Sequence, residues 1–482
     1  MRLRKADGHT QHYFIHHFTV VNRTVLPRSQ VCVNMRVPHT IPHNTSLVYQ
    51  SSEQTQNLPG EVNRTLRAED VTWDKEIPST LATLCVKSLA SHFQEKRVLG
   101  ELSEEDQCLL LETLPTDLPL TLTVPLIRDG IYWKRSSQNR WKSMNDVHDY
   151  GNSWKRHYLE RHLQEHIEKL GPENFVQSEI ESLVQLCSPY VKRLSIQQLQ
   201  APQPPEFIDG DHCEWPTEVN SIDHISLQPF IKGLVNLEEL HVMFGVRGCG
   251  MDFAWILFKF SLVDCINIGL GLNSANCLKT FRIHRSTLDD ARVSILLQHI
   301  MRNTTINRLD FSHCEIGDQG ALAIGKLLTV HPALEELILC NNKIGAAGAN
   351  GLACALSHIA SPLKLLDLRL NHIGNQGVTD LCSALANSEH PQELILAGCG
   401  FTEETGIKLG QMLQHNTTLQ ALDISNNNLG EVGGEALSHG IKDNTTLLRL
   451  DYRMTGITQE DASSINMSLK SNTNRYRRKQ EC

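Results

Sequence analysis

One frame, LxxLxLxxNxI, governs more of this chain than any other feature. It is carried, with close apolar variants, by LEELILCNNKI from Leu334, LKLLDLRLNHI from Leu363 and LQALDISNNNL from Leu419. Weaker copies start at Leu278, Ile306, Pro391 and Leu447. Successive units therefore begin 28, 28, 29, 28, 28 and 28 residues apart, with a more distant relative at Leu237. A period held this long marks an internal repeat, and the fold must be built by stacking one unit on the next.

Alternation at Leu337 and Leu339, repeated at Leu366 and Leu368 and at Leu422 and Ile424, turns both side chains to one face of a short strand. Asn342, Asn371 and Asn427 fall where the chain leaves that strand. A buried carboxamide there can bond backbone groups of neighbouring turns that would otherwise stay unpaired. The remainder of a unit reads as a helix: in GNQGVTDLCSALANS, Val378, Leu381 and Leu385 fall three and four apart. One unit cannot bury both its strand and its helix, so the units must stack into an α/β solenoid with a parallel sheet inside. Strands stack at about 4.8 Å, whereas packed helices need roughly 8 to 10 Å. The expected result is a horseshoe with the sheet on its concave side, helices on its convex side and an open surface for a macromolecule.

At 482 residues the chain exceeds one compact core, and a solenoid with smaller additions is the expected division. A net charge of −9 and a pI near 6.2 give no general attraction to phosphate backbones, so nucleic acid is not an expected partner. No apolar run of roughly eighteen residues is present, which disfavours a membrane span. The early segment HYFIHHFTVV is broken by His16 and His17 where a signal peptide needs continuity. A soluble intracellular protein is expected. None of the fourteen cysteines forms a CxxC pair, and Cys314 and Cys399 occupy the slot of Asn342, as structural thiols do in such repeats. The NTT triplets at Asn303, Asn416 and Asn444 match the glycosylation acceptor, but each precedes a repeat strand and reads as repeat sequence.

Along the chain, residues 1–76 are polar and irregular, an expected mobile segment whose His12, His16 and His17 lack the companions a metal site needs. A helical domain is expected over 77–189. Its first helix follows a cap at Ser79 with Leu81, Leu84, Cys85, Ser88 and Leu89 on one face, and its second opens at Ser103 and stops at Pro115. LPTDLPLTLTVPLI reads as a proline-punctuated crossing, and a third helix runs from the cap Ser153 to Leu170. A further helix lies around Ile180 to Leu186. The solenoid is expected over 190–473, its first strand supplied by Leu194 and Ile196, with insertions at 201–223 and 247–270. The second insertion reads as an enlarged core helix. A helix over 458–472 then leads to a basic tail, 474–482, with Arg475, Arg477, Arg478 and Lys479.

For chemistry, GALAIGK from Gly320 matches a phosphate loop until Leu327 replaces the required Ser or Thr. Gly320 aligns with Gly348, Gly377 and Gly433 of sister units, so small size for helix packing explains it. Asp310, Asp367, Asp423 and Asp451 each follow the central strand leucine and form one column on the concave face, interrupted by Ile338 and Ile395. His284, Arg369 and Arg453 lie in the next column outward. A one-per-strand ladder of this kind reads as a partner-docking surface or as a solvated face without a partner. No catalytic residue, cofactor site or metal site is expected.

The repeats resemble the ribonuclease-inhibitor class of leucine-rich repeats. The non-repeat stretches DLPLTLTVPLI from Asp117, GNSWKRHYLERHL from Gly151 and CGMDFAWILFKFSLVDC from Cys249 narrow this. Over roughly 77–473 the chain resembles the subunit 5 family of the dynein regulatory complex, also called T-complex-associated testis-expressed protein 1. The resemblance implies a non-enzymatic subunit of the nexin link in motile cilia and sperm flagella. It implies as partners the other subunits of that complex, together with inner-arm dynein and doublet microtubules; the basic tail, read from its residues alone, suits a solvated end or contact with the acidic surface of tubulin. Residues 114–170 also distantly resemble F-box domains, which would make the horseshoe a substrate grip of a ubiquitin ligase. The solenoid alone resembles Ran-type GTPase-activating proteins.

Overall fold

The structure, a computed structural model, describes residues 80–142, 146–199, 224–247, 258–357 and 362–481. Expectations about 1–76, the cap Ser79, the 201–223 insertion and most of CGMDFAWILF lie outside the described residues. The chain divides into two compact units, Met1–Cys85 and Val86–Cys482.

Among the described residues, six α-helices precede the sheet: α1 (Leu81–Ser91), α2 (Glu104–Thr113), α3 (Leu120–Leu126), α4 (Ile131–Arg140), α5 (Trp154–Lys169) and α6 (Gln177–Cys187). The caps at Ser103 and Ser153 form as expected, accepting the N–H groups of Asp106 and Arg156. Two readings are corrected. Helix α1 buries Val86 and Ala90 while Leu81 and Leu84 are exposed, and Thr80 Oγ1 accepts the N–H of Thr83 at its start. The proline-rich crossing is the helix α3, with Pro119 as its N-cap and Pro125 inside. Pro125 withholds the N–H that would bond the Thr121 carbonyl, and the helix ends within the next turn, where Ile127 donates to the Thr123 carbonyl.

The second unit then builds nine parallel strands in chain order, each paired only with its neighbours in sequence. They are β1 (Arg193–Ile196), β2 (Glu239–Val242), β3 (Thr280–Ile283), β4 (Arg308–Asp310), β5 (Glu336–Ile338), β6 (Leu365–Asp367), β7 (Glu393–Ile395), β8 (Ala421–Asp423) and β9 (Arg449–Asp451). Helices α7 (Gln228–Gly233), α8 (Leu262–Leu272), α9 (Asp290–Ile300), α10 (Asp318–Val330), α11 (Ala346–Leu356), α12 (Gly374–Leu385), α13 (Glu403–His415), α14 (Gly430–Asp443) and α15 (Gln459–Glu481) alternate with them. This is the expected leucine-rich-repeat solenoid. Helix α15 overruns its expected end: the basic residues Arg475 to Lys479 continue it, a run of good helix formers placed where the negative end of the helix dipole favours cations.

Two ladders of side-chain amides tie the units together. Asn371 Nδ2 donates to the carbonyls of Leu339 and Leu368, and Asn342 and Asn427 do the same one unit before and two units after. In the same slot Cys399 Sγ reaches Leu368 carbonyl at 3.2 Å. The second ladder comes from the NTT triplets. Asn303 donates to Leu272 and Ala275, Asn416 to Leu385, and Asn444 to Leu413 and Asn416. All three asparagines are buried, so their side chains serve packing. Gly320 and Gly325 belong to helix α10, and a Cβ on Gly325 would come within 2.7 Å of Gly351 carbonyl, which confirms close helix approach as the reason for GALAIGK.

Candidate functional site

Because the strands pair in register, equivalent residues stack, and the sheet face turned away from the helices consists of columns. The middle column runs Ser195, His241, Arg282, Asp310, Ile338, Asp367, Ile395, Asp423 and Asp451. The column before it holds Arg193, Glu239, Arg308, Glu336, Glu393 and Arg449 among shorter or apolar residues. The column after it, just past the strand ends, holds His284, Arg369 and Arg453.

The four aspartates share a local task. Each carboxylate accepts the N–H of the residue two positions on: Ser312, Arg369, Ser425 and Arg453, at 3.0 to 3.1 Å. Such a bond fixes the turn that ends the strand. Their exposure differs. Asp367 is 1% exposed and Asp310 5%, whereas Asp423 and Asp451 are half-buried. Asp310 also takes the Ser312 hydroxyl and lies 2.9 Å from Arg282 Nε. Asp367 pairs with Arg369 at 2.8 Å, yet burial pushes its carboxyl above the usual range. Asp451 goes the other way, because the Arg453 guanidinium donates to it at 2.5 to 3.0 Å and holds its carboxyl low. His284 is pushed down to about 4, chiefly by burial and then by Arg282, so it is neutral at physiological pH.

Three of the residues singled out in the sequence come together in one place. Asp423, Asp451 and Arg453 line a cleft of about 750 Å³ over β7, β8 and β9, closed on one side by helix α15. Asp310, Asp367, His284 and Arg369 lie elsewhere on the face and do not line it. Sequence reasoning missed Glu393, Arg449, Tyr452, Asn466 and Lys470, which supply further polar groups of the lining. Glu393 and Arg449 were findable, since the residue before each strand leucine shares the face by the same alternation. Lys470 and Asn466 were not, because their placement depends on how α15 folds back. Arg449 Nη2 reaches Glu393 at 3.4 Å across β8, and Asn466 Nδ2 donates to the Tyr452 hydroxyl at 2.9 Å. Cations and anions thus alternate over a wide, shallow surface. Such a surface can hold an extended polar stretch of another protein by paired charges. Among the described residues, no three His, Cys, Asp or Glu side chains converge as metal ligands would, and no helix is long and apolar enough to cross a membrane.

Comparison with known proteins agrees with the fold. The family described as "Leucine Rich repeat" matches residues 302–325, 361–382 and 415–438. Dynein regulatory complex subunit 5 of Mus musculus is 37% identical over 269 residues, which cover 55% of this chain and 54% of that protein. The Macaca fascicularis protein of the same name is 34% identical over 333 residues, covering 67% and 66%. The Chlamydomonas reinhardtii one is 30% identical over 214 residues, covering 44% and 49%. The matched part of this chain therefore spans about half to two thirds of the length of these relatives.

Proposed function

This chain is a leucine-rich-repeat protein homologous to dynein regulatory complex subunit 5, and on that premise we propose that it is a non-enzymatic scaffold subunit of the nexin link in the axoneme of motile cilia and flagella. It holds other subunits of the complex through the open sheet face and helps to regulate dynein-driven sliding, and with it ciliary and sperm motility. Contact with inner-arm dynein and doublet microtubules belongs to the same reading. The observation that supports it best is the cleft beside α15, where Arg449 and Arg453 are 74% and 82% exposed at the side chain. These cations form ion pairs that contribute little to stability at such exposure, and a partner carboxylate can compete for them.

Cross-linking mass spectrometry on isolated axonemes tests the proposal. Lys470 at the cleft should link to other axonemal polypeptides far more often than Lys326 and Lys408 on the helical side. Loss of the protein from salt-washed axonemes, or links spread evenly over the three lysines, would count against it.

A further inference from the structure

Many cations of this chain are matched within it. Across the strands Arg193 pairs with Glu239, Arg282 with Asp310 and Arg308 with Glu336, and along α5 Arg156 pairs with Glu160 and Lys169 with Glu165. Helix α15 departs from this pattern. Its acids Glu460 and Asp461 stand in the first turn, and no Asp or Glu follows before Glu481. Lys470, Arg475, Arg477, Arg478 and Lys479 all fall in that stretch. They are exposed, and among the described residues none of the five has an ion pair or a hydrogen bond. Arg475 lies three residues from Arg478 and four from Lys479, spacings at which like charges repel on a helix. The helix dipole favours cations in the last turn, which holds Arg478 and Lys479, and falls off before Lys470. At 3.6 residues per turn the five occupy an arc of about 200° on the side away from Ile465, Leu469 and Asn472, which are buried. Ser471, Asn474, Arg475, Arg478 and Lys479 line an open groove of about 560 Å³ there. Lys470 carries the charge on to the cleft over β7, β8 and β9.

From these observations we infer that this face of α15 docks an acidic segment of another polypeptide, whose carboxylates supply the countercharge that the described chain does not. Nucleic acid fits less well. Taking these five charges from the net −9 leaves −14 on the rest of the chain, which opposes a dense polyanion. The one aromatic residue in 470–480, Tyr476, bonds Gln480 on the other side of the helix and offers the groove no stacking face. A membrane surface needs apolar residues beside the cations, and 470–480 holds none besides Tyr476. A second copy brings the same unbalanced helix, and acids of its sheet face are already paired, among them Glu239, Glu336 and Asp367. Of this chain's own residues outside those described, 1–79 carry nine Lys and Arg against seven Asp and Glu. The acidic stretch 200–223 falls between β1 and α7, eight strand steps of about 4.8 Å from β9. The inference does not rest on the axonemal reading, since the site is defined by its charge and is tested with a peptide.

Fluorescence anisotropy of a labelled dodecaglutamate peptide titrated with the purified full chain tests it. Binding is expected at low salt. It should weaken at least tenfold in the triple variant Arg475→Gln, Arg478→Gln, Lys479→Gln, with the melting temperature unchanged, and should persist in Arg475→Lys with Arg478→Lys. Lys326→Gln, Lys408→Gln and Lys442→Gln, at exposed positions of α10, α13 and α14, should together leave it within twofold. Equal binding by the wild type and the first variant, or tighter binding of single-stranded dodecathymidylate or of phosphatidylserine vesicles than of the peptide, would overturn the inference. So would a tenfold gain in affinity on combining Glu206→Gln, Asp209→Asn, Asp211→Asn and Glu214→Gln, which would mean that this chain already covers the face. A dimer of the wild type that the triple variant dissolves would overturn it as well.

Discussion

The sheet has two ends, and they solve the same problem differently. An edge strand exposes a row of backbone donors and acceptors that invites unwanted pairing. At the first edge, helix α5 closes the row with buried acids. Glu160 Oε1 accepts the N–H groups of Lys192 and Arg193 and also Arg156 Nε, while Glu168 Oε1 accepts the N–H of Gln197. Lys155, also buried, donates to the carbonyls of Val124 and Ile127 and to the Tyr190 hydroxyl. At the last edge, α15 makes fewer polar contacts. Asn472 donates to the carbonyls of Asn444 and Leu447, Ile465 and Leu469 supply apolar contact, and the cleft remains open between helix and sheet. One end is sealed by charge taken out of water, and the other is left accessible. Stability should concentrate at the first and binding at the second.

The largest effect expected from this contrast is on Glu160. Glu160→Ala leaves two buried N–H groups and Arg156 without their acceptor, and should cost about 3 kcal/mol or more in urea unfolding. A cost below 1 kcal/mol would mean that the first edge is not sealed as described. Next comes pH. His157 is fully buried among Trp141, Tyr150 and Trp154, and burial pushes it down to about 4 from 6.5. A depressed base contributes stability that is present above 6.5 and is lost as pH falls toward 4. His157 alone should therefore contribute about 2 kcal/mol less at pH 5 than at pH 7.5, and His157→Phe should remove that share while leaving the shares of His162 and His284, which are also pushed down to about 4.

At the other end the changes should be milder. Asn472→Ala removes two hydrogen bonds to buried carbonyls and should cost about 1 to 2 kcal/mol, with hydrogen exchange rising in α15 first. A larger loss than for Glu160→Ala would reverse the comparison. The smallest effect on folding belongs to Asp423→Lys. That side chain is half-buried at the cleft, and losing its bond to the Ser425 N–H should cost about 0.5 to 1 kcal/mol. It should nonetheless weaken the cross-links of Lys470 to its axonemal neighbours. Asp367 is unsuited to the same test, because its carboxylate, unlike that of Asp423, is buried.

The repeat made much of this legible in advance. Period two within strands placed the aspartate column, and the recurring asparagine placed the first amide ladder, because both signals lie within the first nine positions of a frame that recurs every 28 or 29 residues. What escaped was set by tertiary context. Nothing near Asp310 or Asp367 distinguishes them from Asp423, yet neighbours on both sides bury the first two. The burial of Glu160 and Glu168 follows only from the packing of α5 on β1, which local sequence does not carry. The exposed residues of α8, Leu262, Val263, Ile266 and Leu270, read as core in the sequence, since apolar spacing along a helix does not say which side a neighbour covers.

The ladder of Asn303, Asn416, Asn444 and Asn472 carries a further consequence. Each of these amides grips main chain of the unit before it, and Asn444 and Asn472 each reach back 28 residues to do so. Inserting or deleting a few residues within a unit would break that grip, whereas gaining or losing an entire unit would leave every remaining grip in place. Variation in length among proteins built on this plan should accordingly come in whole steps, with partial steps confined to places such as the stretch between β2 and β3, where the spacing already departs from the rule.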